Sequence, residues 1–191
     1  MKKKKLTIKE TFALALQHHQ KNNLQAAEQL YKQILEVEPD HVESIFRLGS
    51  LLIQTKNFDT AQQLLNKAIQ IDPNHAKAHN NLGIAFQKMK KHQEAINCYE
   101  KAIQIIPNFA DAYCNLALLY MDISRDEKAL QYCDQALNFV PDMLKAINLK
   151  SEILKRNIPP WHVPMINDND RNNFYLSALK SVIKTSSSVF E

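Results

Sequence analysis

Glycine is nearly absent from this chain, with 2 glycines in 191 residues, against an average usage of about 7%. This scarcity excludes turn-rich β architectures and favours helices. No apolar run approaches the roughly 18 residues of a membrane span, so we expect no transmembrane helix. Cys98, Cys114 and Cys133 form no C-x-x-C pair and have no partner histidines at metal spacing. We therefore expect reduced thiols, no metal site and a cytoplasmic location.

The charge balance excludes a nucleic-acid-binding surface. The formal net charge is +4, and the run from Lys2 to Lys5 alone supplies 4 positive charges. The chain after this run is close to neutral. Lys9 and Glu10 interrupt the apolar stretch that a signal peptide would need after its basic start. We therefore predict that neither nucleic acid nor a membrane is a partner.

Prolines recur at Pro39, Pro73, Pro107 and Pro141, at intervals of 34 residues. Such a period is typical of helical repeat proteins. Before each proline, small residues recur in a predicted second helix, and the proline ends that helix. The first helix of each unit carries apolar or small residues at i, i+3, i+4 and i+7, which predicts one buried stripe. The stripe residues are Ile45, Leu48, Gly49 and Leu52, then His79, Leu82, Gly83 and Phe86, then Tyr113, Leu116, Ala117 and Tyr120. Gly49 and Gly83 would each cost about 1 kcal/mol relative to alanine, so we expect helix packing to require the missing side chain.

The period, the small residues and the prolines resemble the tetratricopeptide repeat (TPR). The resemblance implies an all-α TPR solenoid, a right-handed superhelix of antiparallel helix pairs with a C-terminal helical extension. The predicted segments are a basic tail (1–7), four repeats within residues 8–142 (about 8–41, 42–75, 76–109 and 110–143), a capping helix (144–156), and a linker with a helix (157–191).

The first helices of TPR proteins line a concave groove, and the resemblance implies a peptide-binding site there. The predicted site residues are Phe12, Phe46, Arg47, Lys77, Asn80, Asn81 and Asn115. The remaining groove positions are Lys9, Ala13, Leu16, Glu43, Ser50, Ile84, Asp111, Cys114 and Leu118.

Two kinds of side chain in this groove suggest a role in binding. Asn81 and Asn115 occupy equivalent positions, similar to the asparagine ladder of the TPR arm of O-GlcNAc transferase. Side-chain amides both donate and accept, so they could hold the backbone of an extended peptide. The alternative is that asparagine is simply common at this polar position. Phe12 and Phe46 could form an apolar shelf for a ligand side chain, or they could be covered by other parts of the protein.

Two more specific ligands are disfavoured. TPR modules that grip chaperone C-termini carry an arginine where this chain has Asn81. Those modules also use a lysine and an asparagine in one unit and an asparagine in the next. Lys77 is retained, but at the lysine and asparagine places the first two units carry Phe12 with Leu16 and Phe46 with Ser50, so we expect no chaperone carboxylate clamp. His75 and His79 are four residues apart, but without a carboxylate or cysteine they make a poor metal site. A homodimer remains an open possibility, since TPR arrays often dimerise.

The C-terminal segment "PPWHVPMINDNDRNNFY", residues 159–175, breaks the repeat. From Trp161 to Leu179 the pattern WHxPMxNDxxRNxxYxxAL resembles the pre-catalytic segment of protein arginine methyltransferases that bear N-terminal TPRs. The matching residues are Met165, Asp168, Arg171, Tyr175, Ala178 and Leu179. This resemblance implies that Met165 borders the substrate guanidinium and that Arg171 pairs with the carboxylate of S-adenosylmethionine.

The sequence lacks the glycine-rich turn, the paired glutamates and the histidine loop of that family, so we expect no catalytic residues and no enzymatic activity in this chain. S-adenosylmethionine would then be a cofactor of a longer parent protein only. The functional hypothesis is a protein-interaction module that binds an extended peptide and recruits for a methyltransferase. The alternatives are a complete non-enzymatic adaptor whose tail caps its own solenoid, and a recruiting arm of a glycosyltransferase.

Overall fold

A computed structural model of the chain describes residues 6–156, and this part of the chain is entirely α-helical. The helices are α1 (Ile8–Gln20), α2 (Leu24–Val37), α3 (Val42–Gln54), α4 (Phe58–Ile71), α5 (Ala76–Lys88), α6 (His92–Ile105), α7 (Ala110–Asp122), α8 (Asp126–Phe139) and α9 (Leu144–Arg156). Each predicted repeat holds one helix pair, with α1, α3, α5 and α7 as first helices. The chain divides into two compact units, Met1–Leu149 and Lys150–Glu191. All groove residues discussed below that the structure describes lie in the first unit.

Helix starts depend on side-chain caps. Thr7 forms a capping box with Glu10 at the start of α1. His41 and His75 cap α3 and α5, because the Nδ1 atom of each imidazole accepts a hydrogen bond from a backbone N–H three residues on, at 3.2 Å and 3.1 Å. An accepting Nδ1 leaves the ring proton on Nε2 when the imidazole is neutral.

The turn between the two helices of each repeat contains a residue in the left-handed conformation. These residues are Asn22, Lys56, Lys90 and Ser124, with φ between 57° and 63°. They lie 34 residues apart, so the 34-residue period extends to the backbone conformation. None is glycine, although glycine adopts this conformation without steric cost.

Small residues in the first helix face large ones in the second. A Cβ atom on Gly49 would lie 2.9 Å from Cγ of Leu65, and one on Gly83 would lie 2.6 Å from Cε1 of Tyr99. Any side chain at either position would overlap its neighbour. The prediction that packing requires these glycines is confirmed.

Two buried tyrosines link each odd repeat to the next one. The Tyr99 hydroxyl donates to Oε1 of Gln87 at 2.9 Å, and Nε2 of Gln87 donates to Asp122 in α7 at 2.9 Å. The equivalent Tyr31 lies 3.3 Å from Nδ1 of His19, whose Nε2 lies 3.2 Å from Gln54 in α3. These contacts satisfy hydroxyl groups that would otherwise be buried without a partner.

None of the three cysteines, all within the described residues 6–156, takes part in a disulfide. Burial raises the pKa of Cys98 to about 12 and also raises the pKa of Cys114. A raised thiol pKa suppresses the reactive thiolate. Within residues 6–156, no helix combines the length and the apolar character needed to span a bilayer.

Candidate peptide-binding groove

The two predicted shelf residues are covered by other side chains. Phe46 is only 4% exposed. The His75 ring lies 4.6 Å from its ring centroid and the Arg47 guanidinium 5.3 Å. Phe12 is half-buried between His41 and Tyr31, with ring centroids 5.5 Å and 6.1 Å apart. Little of either phenyl ring is therefore available to a ligand, and their role in binding stays a prediction.

Glu43 links Arg47 to the next repeat. Its carboxylate accepts a hydrogen bond from Nε of Arg47 at 2.8 Å and lies 3.7 Å from Nε2 of His75. His75 and Arg47 together hold the pKa of Glu43 at about 2, below its ordinary value of 4.5. Glu43 is therefore ionised at neutral pH. Its charge is already compensated, as is much of the charge on Arg47.

The predicted asparagines form a continuous chain of hydrogen bonds across the first helices. Asn81 donates to Oγ of Ser50 at 2.8 Å, Asn80 donates to Oδ1 of Asn81 at 3.2 Å, and Asn115 donates to Oδ1 of Asn80 at 2.8 Å. Lys145 Nζ then donates to Oδ1 of Asn115 at 2.7 Å. We call Ser50, Asn81, Asn80, Asn115 and Lys145 the polar row.

The polar row changes what the amides can offer to a ligand. Asn80 and Asn115 are each 6% exposed and spend a donor and an acceptor on neighbours. Asn81 spends the same number of groups but is partly exposed, so its second N–H and its remaining lone pair can reach a ligand. Of the three predicted asparagines, Asn81 is therefore best placed to contact a peptide.

Sequence reasoning missed two members of the polar row as binding partners of the asparagines. The sequence pattern places Ser50 in the groove but not among the predicted site residues, and it places Lys145 in the capping helix, outside the groove. The 34-residue period would have found Lys145, because it stands one period after Asp111. Lys77 is exposed in the structure, as expected for a ligand-facing residue.

His75 and His79, the pair with the spacing of metal ligands, make other contacts. His75 caps α5 through Nδ1, and His79 contacts the Pro73 carbonyl oxygen through Nε2 at 3.0 Å. Burial lowers the pKa of His79. Over the part of the chain that the structure describes, no group of three or more histidine, cysteine or acidic residues could hold a metal ion.

A protein-family comparison identifies the repeat. Residues 1–157 match the family described as the tetratricopeptide repeat protein 21 C-terminal ARM domain. The chain belongs to this family. This match confirms the prediction that the chain is a TPR-like repeat protein. No curated protein matches the chain in sequence.

Solved structures share the fold. A crystal structure of MamA protein is 24% identical, with a TM-score of 0.64, over 78% of this chain and 86% of that one. A second MamA structure is 22% identical, with a TM-score of 0.66, over 91% and 96%. A chain of the APC/C hetero-tetramer Cut9-Hcn1 is 20% identical, with a TM-score of 0.73, over 78% of this chain and 30% of its own length. The predicted all-α TPR solenoid is confirmed.

The predicted methyltransferase features are not reached by these findings. Met165 and Arg171 lie outside the described residues 6–156, and the family match ends at residue 157. The resemblance of residues 159–179 to arginine methyltransferases therefore stays a prediction, as do the S-adenosylmethionine cofactor and the cytoplasmic location.

Proposed function

We propose that this chain is a non-enzymatic TPR scaffold that binds an extended segment of a partner protein along its first helices. The observation that carries the proposal is the polar row. It crosses the successive helices α3, α5, α7 and α9 and lies beside exposed charged residues. A surface of this kind offers both backbone hydrogen bonds and charge contacts to an extended chain.

The groups that remain free favour a peptide ligand. Asn81 keeps a donor and an acceptor, and Lys77 is exposed. Groove aromatics are largely covered, so affinity would come from polar contacts more than from an apolar anchor. The cost of ordering a flexible peptide then limits affinity to a modest range.

Binding of random peptides displayed on phage tests the proposal. Selected peptides would be synthesised and their affinity for the full chain measured by fluorescence anisotropy. Lys77→Ala and Asn81→Ala should each weaken binding about threefold to tenfold. Lys101→Ala, on the second helix α6, is the matched control and should leave affinity unchanged. If the selected peptides bind both groove variants as tightly as they bind the wild-type protein, the binding surface lies elsewhere.

A role in assembly is a related hypothesis. One solved structure with this fold is a hetero-tetramer, and we propose that the peptide bound here belongs to another subunit of a complex. Light scattering of the isolated chain tests the separate expectation of a homodimer. A monomer at micromolar concentration would reject it.

The recruiting region of a methyltransferase is the second hypothesis, and it depends only on the sequence of residues 159–179. Immunoblotting of source cells with an antibody against residues 6–156 tests it. A protein much larger than 22.0 kDa that incorporates label from S-adenosylmethionine would support a methyltransferase parent. A 22-kDa species would favour the adaptor.

A further inference from the structure

The second residue of each first helix, and of the following helix α9, is charged, and the sign of this charge alternates from one of these helices to the next. Lys9 is the second residue of α1, Glu43 of α3, Lys77 of α5, Asp111 of α7 and Lys145 of α9. Successive members are 34 residues apart and therefore occupy equivalent positions. We call these five residues the charge column.

Several charges of the column are available to a ligand. Among residues 6–156, Lys77 and Asp111 make no hydrogen bond and no ion pair with another side chain, and both are exposed. Lys145 is also exposed and uses one donor on Asn115, whereas an ammonium has three. Glu43 differs, because Arg47 and His75 already compensate its charge. Three successive members of the column therefore present a positive, a negative and a positive charge to a ligand, at Lys77, Asp111 and Lys145 respectively.

Helix stability does not explain the lysines. The positive end of the helix dipole favours an acidic residue in the first turn and disfavours a basic one. Asp111 follows this preference, but Lys77 and Lys145 oppose it. Lys145 donates to Asn115, but Lys77 pairs with no side chain among residues 6–156, and a partner that carries negative charge would explain its placement.

The spacing of the repeat suits an extended peptide. Packed helices lie about 8–10 Å apart, and an extended chain in the polyproline II conformation advances about 3.1 Å per residue with three residues per turn, which puts every third side chain on one face. One repeat therefore corresponds to about three peptide residues. Charges on a complementary peptide would fall at positions i, i+3 and i+6.

We propose that the charge column selects extended peptides with the pattern acid-x-x-base-x-x-acid, which places the two acids at Lys77 and Lys145 and the base at Asp111. This inference rests on the proposed function, since it names the ligand of the same groove. The pattern reads the same in both directions, so side-chain charge alone does not set the peptide's polarity. Asn81, the partly exposed asparagine of the polar row, stands one helix turn after Lys77 and would contact the peptide backbone.

Three synthetic peptides test the charge pattern on the full chain. The first carries Glu, Arg and Glu at i, i+3 and i+6 in a serine-alanine background. The second carries Lys, Glu and Lys at the same places, and the third carries glutamine at all three. Fluorescence anisotropy at low salt should show the first peptide binding at least about tenfold more tightly than the second, with the difference shrinking as salt is added. Equal affinity for the first two peptides would overturn the proposal.

A protein variant with reversed charges tests the same proposal from the side of the groove. The triple variant Lys77→Glu, Asp111→Lys and Lys145→Glu should prefer the second peptide, and circular dichroism would verify that it folds. The milder Asp111→Asn should reduce the preference without reversing it. Lys101→Glu on α6 is the control and should keep the wild-type order. A triple variant that is folded but still prefers the first peptide would contradict the proposal.

The phage selection separates this inference from the function on which it rests. Selected peptides that bind the groove without the acid-x-x-base-x-x-acid pattern would reject the charge column as the selecting element and leave the peptide-binding function intact. If neither selected nor designed peptides bind at all, the peptide-binding function itself is wrong.

Discussion

The ring of Tyr99 occupies the space beside Gly83 in which any other residue would place its side chain. A Cβ atom there would lie 2.6 Å from Cε1 and 2.7 Å from Cδ1 of the ring. The ring is fully buried and its hydroxyl is hydrogen-bonded to Gln87. It therefore cannot move aside without losing that hydrogen bond.

Gly83→Ala should destabilise the protein by about 1–3 kcal/mol, although alanine is the better helix former by about 1 kcal/mol. Urea denaturation would measure the change. In a double-mutant cycle with Tyr99→Cys the two losses should be less than additive, because alanine and cysteine already stand together at the equivalent positions, Ala117 and Cys133. A more stable Gly83→Ala protein would show that the ring yields easily.

Tyr99→Phe should cost about 1–2 kcal/mol, because it leaves the buried Oε1 atom of Gln87 without a donor. Thermal and urea unfolding would both report the loss. Tyr132→Phe is a suitable control, since its hydroxyl makes no hydrogen bond with another described residue. Equal effects from the two substitutions would mean that the Tyr99 hydroxyl bond does not contribute.

Lys90→Gly should stabilise the protein by roughly 0.5 kcal/mol. Lys90 has a φ of 63°, a conformation that costs a non-glycine residue about 1–2 kcal/mol, partly offset by the greater freedom of glycine in the unfolded chain. Lys88→Gly, at the end of α5, should destabilise instead. A loss of stability in Lys90→Gly would contradict the strain argument.

Glu43→Gln should lower stability at neutral pH by about 0.5–1 kcal/mol, a value that allows for the partial exposure of the group. The folded pKa is depressed to about 2 from 4.5, so ionised Glu43 stabilises the fold above about pH 4.5. This contribution is lost as the pH falls toward 2. The difference between the two proteins should shrink over that window.

Alkylation of the thiols should follow unfolding. Burial raises the pKa of Cys98 to about 12, and Cys114 and Cys133 are fully buried. At pH 8, iodoacetamide should leave the native protein unlabelled on the timescale on which it labels a free thiol, and should modify all three cysteines in urea. Fast labelling of Cys98 under native conditions would contradict this expectation.

The 34-residue period of the sequence alone predicts the positions of the helix pairs and of their closest contacts. Pro39, Pro73, Pro107 and Pro141 locate four helix pairs, because a proline cannot continue a helix and recurs only where one must end. Gly49 and Gly83 mark close helix contacts, because their cost inside a helix requires a compensating gain. These inferences need only local chemistry repeated in phase, and the structure contains both features.

The side-chain contacts of the groove could not be predicted from the period. Asn81 and Asn115 are equivalent in the period, yet Asn81 donates to Ser50 and Asn115 donates to Asn80. Phe46 looks like a ligand shelf in the sequence, but His75 and Arg47 cover it. Both the hydrogen-bond partners and the covering of Phe46 depend on side chains from a neighbouring repeat. The rotamers of these side chains are determined only when the helices pack together. The repeat architecture follows from periodic local preferences, whereas the exposed and occupied groups of the groove follow from competition among side chains brought together by packing.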